Sequence, residues 1–446
     1  MGYELRMATP EDAQGIFETQ VAAFSMEQDS IRWQRARSAA FDRAEEYIVM
    51  VDDEGRVIGL VHIGDTWIQV GECAVLKGDV GHVSIRPELQ GRGLGTRMMR
   101  WTVEHLRDEG YHLSRLGGLM HFYSRFGYEP FLRRFVEIDL QSVRGGQRQI
   151  PPDEVYPEPE GLPGTVRPYD EARDFEDRVR LRWEFDHGRS GAPRVSRETE
   201  PPTHPAPPDP EAMRWVYERD GQVVGYLFAS EAPLEARSDE TVYALGDFAY
   251  APQFPDAAGA LVRTLLVRAA KTPPSRVTSR LPFDEMLTEA LQLAGVSLQR
   301  KELHQAVAGN MILVLDLAAT LRQVTPELSR RLARSPVADW QGAIEISFPR
   351  RGACPSEDPT QVTAGDALPG EACRLVIDGG EVSVAEGPGP VDLQLEMSQA
   401  HFVKGLFGIC ALTELSCCRL MDLTPSERGL LDALFPRTQT GSGPWG

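Results

Sequence analysis

The sequence predicts an α/β (α+β) protein: two tandem α/β folds, the second a degenerate copy of the first, followed by a smaller α+β domain. Three observations carry this. A β-branched run stops at Arg86-Pro87 and is followed by Gly91, Gly93, Gly95 and a helical segment, TRMMRWTVEHLRDEG. The order of patterns in residues 1–150 returns in residues 151–302, where the three glycines are missing. Residues 303–446 change to a continuous apolar strand, a hairpin and short capped helices.

In the first block Tyr3–Met7 reads as a strand. Thr9 is a good N-cap, Pro10 suits the first helical position and Asp12 the capping-box place, so a helix to about Phe24 follows. EEYIVMVDDEGRVIGLVHIGDTWIQV reads as two strands joined at Asp53-Glu54-Gly55. A strand over 72–86 leads into the glycine turn and its helix; another, 113–119, precedes HFYSRFGYEPF. The block closes at Gly145-Gly146 and the acidic, Pro-rich PPDEVYPEPEGLPG.

The second block echoes this order. VRPYDEARDFEDRVRLRWEF matches LRMATPEDAQGIFETQVAAF, WVYERDGQVVGYLFAS matches the first hairpin, and TVYALGDFAYAP is a strand ending in Pro. QFPDAAGALVRTLLVRAAK stands where the glycine turn and its helix belong. The insert RETEPPTHPAPPDPE is too Pro-rich for anything but a loop. In the third block MILVLDL is an apolar strand and TPELSRRLARS a polar helix. CRLVIDGGEVSVAE is a hairpin turning at Asp378-Gly379, VDLQLEMSQAHFVKGLFG a strand running into a helix, and LTPSERGLLDALFP a helix capped by Thr424.

Composition removes several classes of function. With 446 residues and 41% hydrophobic content the chain builds packed cores, and no run approaches a membrane span. The opening MGYELRMATPED has no apolar secretory core, and Arg6 breaks the myristoylation pattern. The six cysteines form no C-x-x-C pair and no zinc spacing; reduced thiols in a cytoplasmic protein, with no metal, are expected. Forty-seven Lys and Arg against 66 Asp and Glu give a net charge of −19, unsuited to nucleic acid but able to steer cationic small molecules.

The glycine turn is the chemical signal. A pyrophosphate needs several backbone N–H groups converging at hydrogen-bond distance, side chains with a Cβ obstruct that approach, and a following helix adds its unpaired N–H groups and dipole. Gln90-Gly91-Arg92-Gly93-Leu94-Gly95-Thr96 meets these needs, and Leu94, Met98 and Trp101 give the helix one apolar face. No G-x-x-x-x-G-K-[ST] is present, and Thr96 stands where G-x-G-x-x-G needs its last glycine.

Gln-x-x-Gly-x-Gly after a strand resembles the pyrophosphate loop of the Gcn5-related N-acetyltransferases. Ala8-Thr9-Pro10-Glu11-Asp12 is similar to that superfamily's first turn, and Tyr123-Ser124-Arg125-Phe126-Gly127-Tyr128 to its FYxxxGF/Y segment. The whole chain resembles the Eis (enhanced intracellular survival) family: an acetyltransferase domain (1–150), a degenerate second copy (151–302) and a sterol-carrier-protein-like domain (303–446). The resemblance implies direct acetyl transfer from acetyl-CoA to an amine of a cationic, aminoglycoside-like molecule in a ternary complex, and a homo-oligomer, a hexamer. It implies backbone N–H groups of Val83, Ser84 and Ile85 on the acetyl and pantetheine groups, Gln90 to Thr96 on the pyrophosphate, Phe24 in the acceptor pocket and Tyr123 as general acid. Glu27, Asp29 and Trp33 follow in a loop suited to a cationic amine. The base is the terminal carboxylate of Gly446 by resemblance, or His82 or His121 by matched pKa. The third block either packs against the other two and delivers the C-terminus or holds lipid. The alternative to an enzyme is a non-catalytic acyl-CoA or lipid-binding module on the same scaffold.

Overall fold

The capping box opens the chain as expected. In the computed structural model, which describes residues 2–139, 143–145, 148–150, 161–194, 212–233, 241–271, 276–279, 281–349, 370–415, 418 and 422–438, β1 (Tyr3–Met7) leads to a single 3-10 turn at Pro10–Asp12. The Thr9 N–H and hydroxyl both donate to Asp12 Oδ2, at 2.8 and 3.1 Å, and Arg6 grips the same carboxylate at 2.7 and 2.9 Å. The Arg6 hydrogen bonds hold the Asp12 carboxyl below its usual range. Next come α1 (Ala13–Phe24), α2 (Ile31–Asp42), β2 (Tyr47–Asp52), β3 (Val57–Val70), β4 (Cys73–Ile85), α3 (Leu94–Asp108), β5 (Leu113–Leu119), α4 (Met120–Tyr123) and β6 (Glu129–Pro130).

α2 corrects one expectation, since Trp33 lies in a helix rather than a loop. Ser30 Oγ accepts from the Trp33 N–H at 3.2 Å and caps that helix, and Ala36 and Ala40, four residues apart, bury its inner face.

β7 (Arg133–Asp139) and a small hairpin, β8 (Val143–Gly145) and β9 (Arg148–Ile150), lead to the second copy. That copy comprises β10 (Thr165–Pro168), α5 (Glu171–Asp186), β11 (Arg214–Arg219), β12 (Gln222–Pro233), β13 (Thr241–Tyr250), α6 (Pro255–Lys271), β14 (Arg276–Ser279), α7 (Glu285–Leu293) and β15 (Gln299–Leu303). One contact recurs in the same place. Arg167 grips Asp174 at 2.7 Å through both terminal nitrogens, as Arg6 grips Asp12.

The third block supplies β16 (Ala308–Val314), α8 (Leu317–Ala333), β17 (Gly342–Phe348), β18 (Glu371–Asp378), β19 (Glu381–Val384), β20 (Leu393–Glu396), α9 (Gln399–Leu406) and α10 (Pro425–Leu434). α8 begins two turns earlier than the sequence suggests. Asp316 caps it through the Ala319 N–H at 2.7 Å, and Pro326 lies inside the helix instead of at its start. The β18–β19 turn holds Gly379 and Gly380 at φ 59° and 84°, a conformation that only glycine adopts freely at two successive positions.

The sheets cross the block boundaries at 150 and 302. The first sheet runs β1-β2-β3-β4-β5-β16-β6, the second β10-β11-β12-β13-β14-β7-β15 and the third β19-β18-β17-β20. Each seven-stranded sheet therefore takes its sixth strand from outside its own block. β16 pairs antiparallel with β5 from Ala308↔Leu119 to Val314↔Leu113, and β7 lies between β14 and β15. Pattern alone assigns a strand to its neighbours in sequence, and here the pairing partners are distant. The tip of the β3–β4 hairpin ties the units together. The Gly71 N–H donates to Ser190 Oγ at 3.1 Å, the Gln69 amide to the Asp186 carbonyl at 2.9 Å, and Arg330 pairs with Glu72 at 3.1 Å. The segment 151–160, the insert 197–211 and the C-terminal Trp445 and Gly446 lie outside the described residues.

Candidate active site

The site begins where two parallel strands part. β4 and β5 pair only from Lys77↔Leu113 to Val80↔Leu116, although both run on, to Ile85 and Leu119. Just past the last pair β4 carries a bulge. His62 faces Gly81 and Leu60 faces Ser84, so His82 and Val83 together oppose one residue of β3, and His82 takes φ 52°. The Arg86 N–H donates to the Ile58 carbonyl at 2.9 Å, so strand alternation turns the N–H groups of Ile85 and Val83 away from β3, toward the opening. Ser84 faces the β3 side, and its hydroxyl donates to the His82 carbonyl at 3.0 Å.

The glycine turn lies at the end of β4. Gly91 and Gly93 have φ 74° and 77°, and a Cβ on either would meet no atom within 4 Å. That space stays open beside the start of α3, where Gly93 is the N-cap and the first N–H groups have no helical partner. The Gln90 amide donates to the Ile85 carbonyl at 3.0 Å and Arg92 to the Glu88 carbonyl at 3.2 Å, so both side chains brace the turn. The open, Cβ-free turn, the unpaired N–H groups at the start of α3 and the helix dipole fit a pyrophosphate.

Tyr123 stands on the β5 side. Its ring lies against Gly118, where a Cβ would be 2.4 Å from the ring, and meets Phe122 edge-on at 4.9 Å. Phe122 in turn reaches within 3.7 Å of the Cβ position of Gly95, linking this segment to the turn. The Tyr123 hydroxyl has no hydrogen-bond partner among the described residues. Burial alone pushes its pKa up to about 12. Tyr128 contrasts with it: fully buried, its hydroxyl shares a 2.7 Å hydrogen bond with Ser114, a structural arrangement. The third unit steadies this segment, since Glu129 accepts from the Ala400 N–H at 2.7 Å at the start of α9.

The structure brings Phe24 to His82, with ring centres 6.4 Å apart. His82 also meets His62 at 5.8 Å, and His62 Nε2 lies 2.8 Å from Glu46 Oε2. Sequence reasoning missed His62 and Glu46, because neither belongs to a motif. Glu27 is exposed in the α1–α2 turn. Trp33 packs edge-on against Phe17 at 5.0 Å, with the Arg37 guanidinium 5.9 Å from its ring, so its π-face engages the chain's own cation. His121 is exposed, and Gly446 lies outside the described residues. Among the described residues no group of three or more His, Cys, Asp or Glu is gathered as a metal would require, and no helix is long and apolar enough to cross a membrane.

The second seven-stranded sheet also carries a bulge, filled around by an ion-pair network. Phe228 faces Asp247 and Ala229 faces Leu245, which leaves Gly246 as the extra residue of β13. Asp247 receives Arg178 at 2.9 Å, Arg182 at 2.7 Å and the Tyr226 hydroxyl at 2.8 Å. Arg182 also pairs with Asp186 at 2.5 Å. Asp247→Ala leaves two arginines from α5 without their shared partner, and we expect a loss of about 2–3 kcal/mol in a denaturant titration, the low end for a broken pair because Asp247 keeps some exposure. A change below about 0.5 kcal/mol would mean that the network is not holding this region.

Residues 4–131 match the family model of the GNAT acetyltransferase domain. The chain is accordingly an N-acetyltransferase carrying a domain of that class. No curated protein matches the chain in sequence. Solved structures with the same fold include a conserved protein from Enterococcus faecalis V583 (15% identity, 99% of this chain and 98% of that one, TM-score 0.63). A GCN5-related N-acetyltransferase from Kribbella flavida is another (17%, 98% and 97%, TM-score 0.60), and Eis1 from Mycobacterium abscessus a third (16%, 98% and 98%, TM-score 0.54).

Proposed function

We propose that this chain transfers the acetyl group of acetyl-CoA directly to an amine of a cationic small molecule of aminoglycoside type, in a ternary complex, as an Eis-like enzyme. The observation that carries the reading is the opening between β4 and β5 beyond Val80↔Leu116, with an open phosphate cradle at one side and an aromatic–imidazole wall at the other. In this reading Gly91 to Thr96 hold the pyrophosphate. The Val83 and Ile85 N–H groups receive the acetyl carbonyl and the negative charge that develops on it. Tyr123 donates its proton to the departing sulfur. Phe24 and Glu27 face the acceptor, and the net charge of −19 draws a polycation toward the chain. Residues 303–446 serve as a sterol-carrier-protein-like unit that braces the catalytic segment, and the assembly is a cytoplasmic hexamer.

The test is release of free thiol from acetyl-CoA in the presence of aminoglycosides, polyamines or lysine. Turnover that rises with the number of amino groups on the acceptor is expected. Tight acetyl-CoA binding without turnover on any amine would replace this reading by a non-catalytic acyl-CoA binder.

A further inference from the structure

We propose that His82 is the general base of the transfer, and that His62 and Glu46 position it and carry the proton away. The inference rests on the acetyltransferase reading above.

The placement of His82 is unusual. A histidine at φ 52° carries a backbone strain that a glycine would avoid, and a bulge re-aims the side chain it carries. Here the bulge sits immediately past the last β4–β5 pair, at the mouth of the opening. Its ring lies between Phe24 on the acceptor wall and His62 within the sheet. His62 Nε2 lies 2.8 Å from the Glu46 carboxylate, so a proton belongs on Nε2. Nδ1 lies 4.0 Å from the Cβ position of Gly81, on the side of β4. The three side chains thus follow one another in order: imidazole, imidazole, carboxylate. The Tyr47 ring packs on His62 at 4.9 Å and holds it in place.

Around His82, α1 contributes Phe24, β3 contributes His62, α2 contributes Arg32, and Glu46 stands behind His62. Desolvation first, then the charges of His62 and Arg32, hold the His82 pKa below the usual histidine value, so it is unprotonated and ready to accept at neutral pH. The proton balance closes. The acceptor ammonium gives one proton to His82, which passes it to solvent directly or through His62. The amine lone pair forms the C–N bond as the C–S bond breaks. Tyr123 protonates the sulfur and regains a proton from the new amide nitrogen. One proton ends on the thiol and one in bulk water.

Steady-state kinetics on the full chain, over a pH range with an amine that turns over, tests this. His82→Asn, a residue that tolerates the left-handed backbone, is expected to lower kcat by about 10²-fold and abolish the acid limb of kcat, with acetyl-CoA affinity unchanged. Glu46→Gln removes the negative charge that favours a protonated pair, so the acid limb moves to lower pH while kcat at its plateau falls less than about 10-fold. A purely structural role for Glu46 lowers the rate equally at every pH. Wild-type kcat and an unmoved acid limb in His82→Asn would overturn the proposal. So would loss of the limb on deleting Trp445-Gly446 while His82→Asn keeps it. If the wild-type chain acetylates no amine at all, the acetyltransferase reading fails instead.

Discussion

Tyr123→Phe is expected to lower kcat by about 10²-fold while leaving the acetyl-CoA dissociation constant unchanged. Both halves follow from the surroundings of the ring. The hydroxyl has no partner among the described residues, so its removal orphans no buried group, and the ring keeps its contacts with Gly118 and Phe122. With its pKa pushed up to about 12, the phenol stays protonated throughout the working range and produces no alkaline decline of its own below about pH 11. It is a weaker acid than the thiol it protonates, whose pKa is about 8.5. Full proton transfer to the departing sulfur is therefore uphill until Tyr123 regains a proton from the new amide nitrogen, and an easily expelled thiolate needs only modest help; hence the low end of the general-acid range. Isothermal titration with acetyl-CoA beside single-turnover kinetics separates the two quantities. An unchanged single-turnover rate would make Tyr123 a packing residue.

Gly93→Ala is expected to weaken acetyl-CoA binding by about 10-fold or more with little change in kcat at saturation. The new Cβ meets no protein atom within 4 Å, so its steric effect falls on whatever enters the cradle. It also strains the backbone, since Gly93 has φ 77°. Gly110→Ala is the matched control: φ 78°, equally open, at the opposite end of α3. It carries the same strain and leaves acetyl-CoA affinity untouched. Equal affinities for the two variants would remove the turn from the binding site.

What the sequence reveals depends on how local the cause is. The Thr9–Asp12 capping box, the β18–β19 turn (one residue later than Asp378-Gly379, at Gly379-Gly380) and the open glycines between β4 and α3 are each decided within a few residues. The duplication is legible because its whole pattern repeats. What fails is non-local. Glu46, His62 and His82 lie on a 3-10 turn and two strands, in no common motif, and only the β2–β3 and β3–β4 registers together gather them. Arg178 and Arg182, four apart on α5, meet their shared partner Asp247 more than 60 residues away in sequence, on β13. The partner of β5 lies in another block altogether.

That last arrangement sets a timetable for synthesis. The first sheet has all its other strands once Pro130 has been made, but the strand that covers β5 ends at Val314. At about 5–20 residues per second the ribosome needs about 10–40 s to bridge that interval. Throughout it β5 presents a bare hydrogen-bonding edge beside the site of chemistry. The enzyme's first domain therefore cannot mature ahead of its second. The nascent chain stays catalytically unfinished and open to pairing with a stranger until the second copy and the first strand of the third block have emerged.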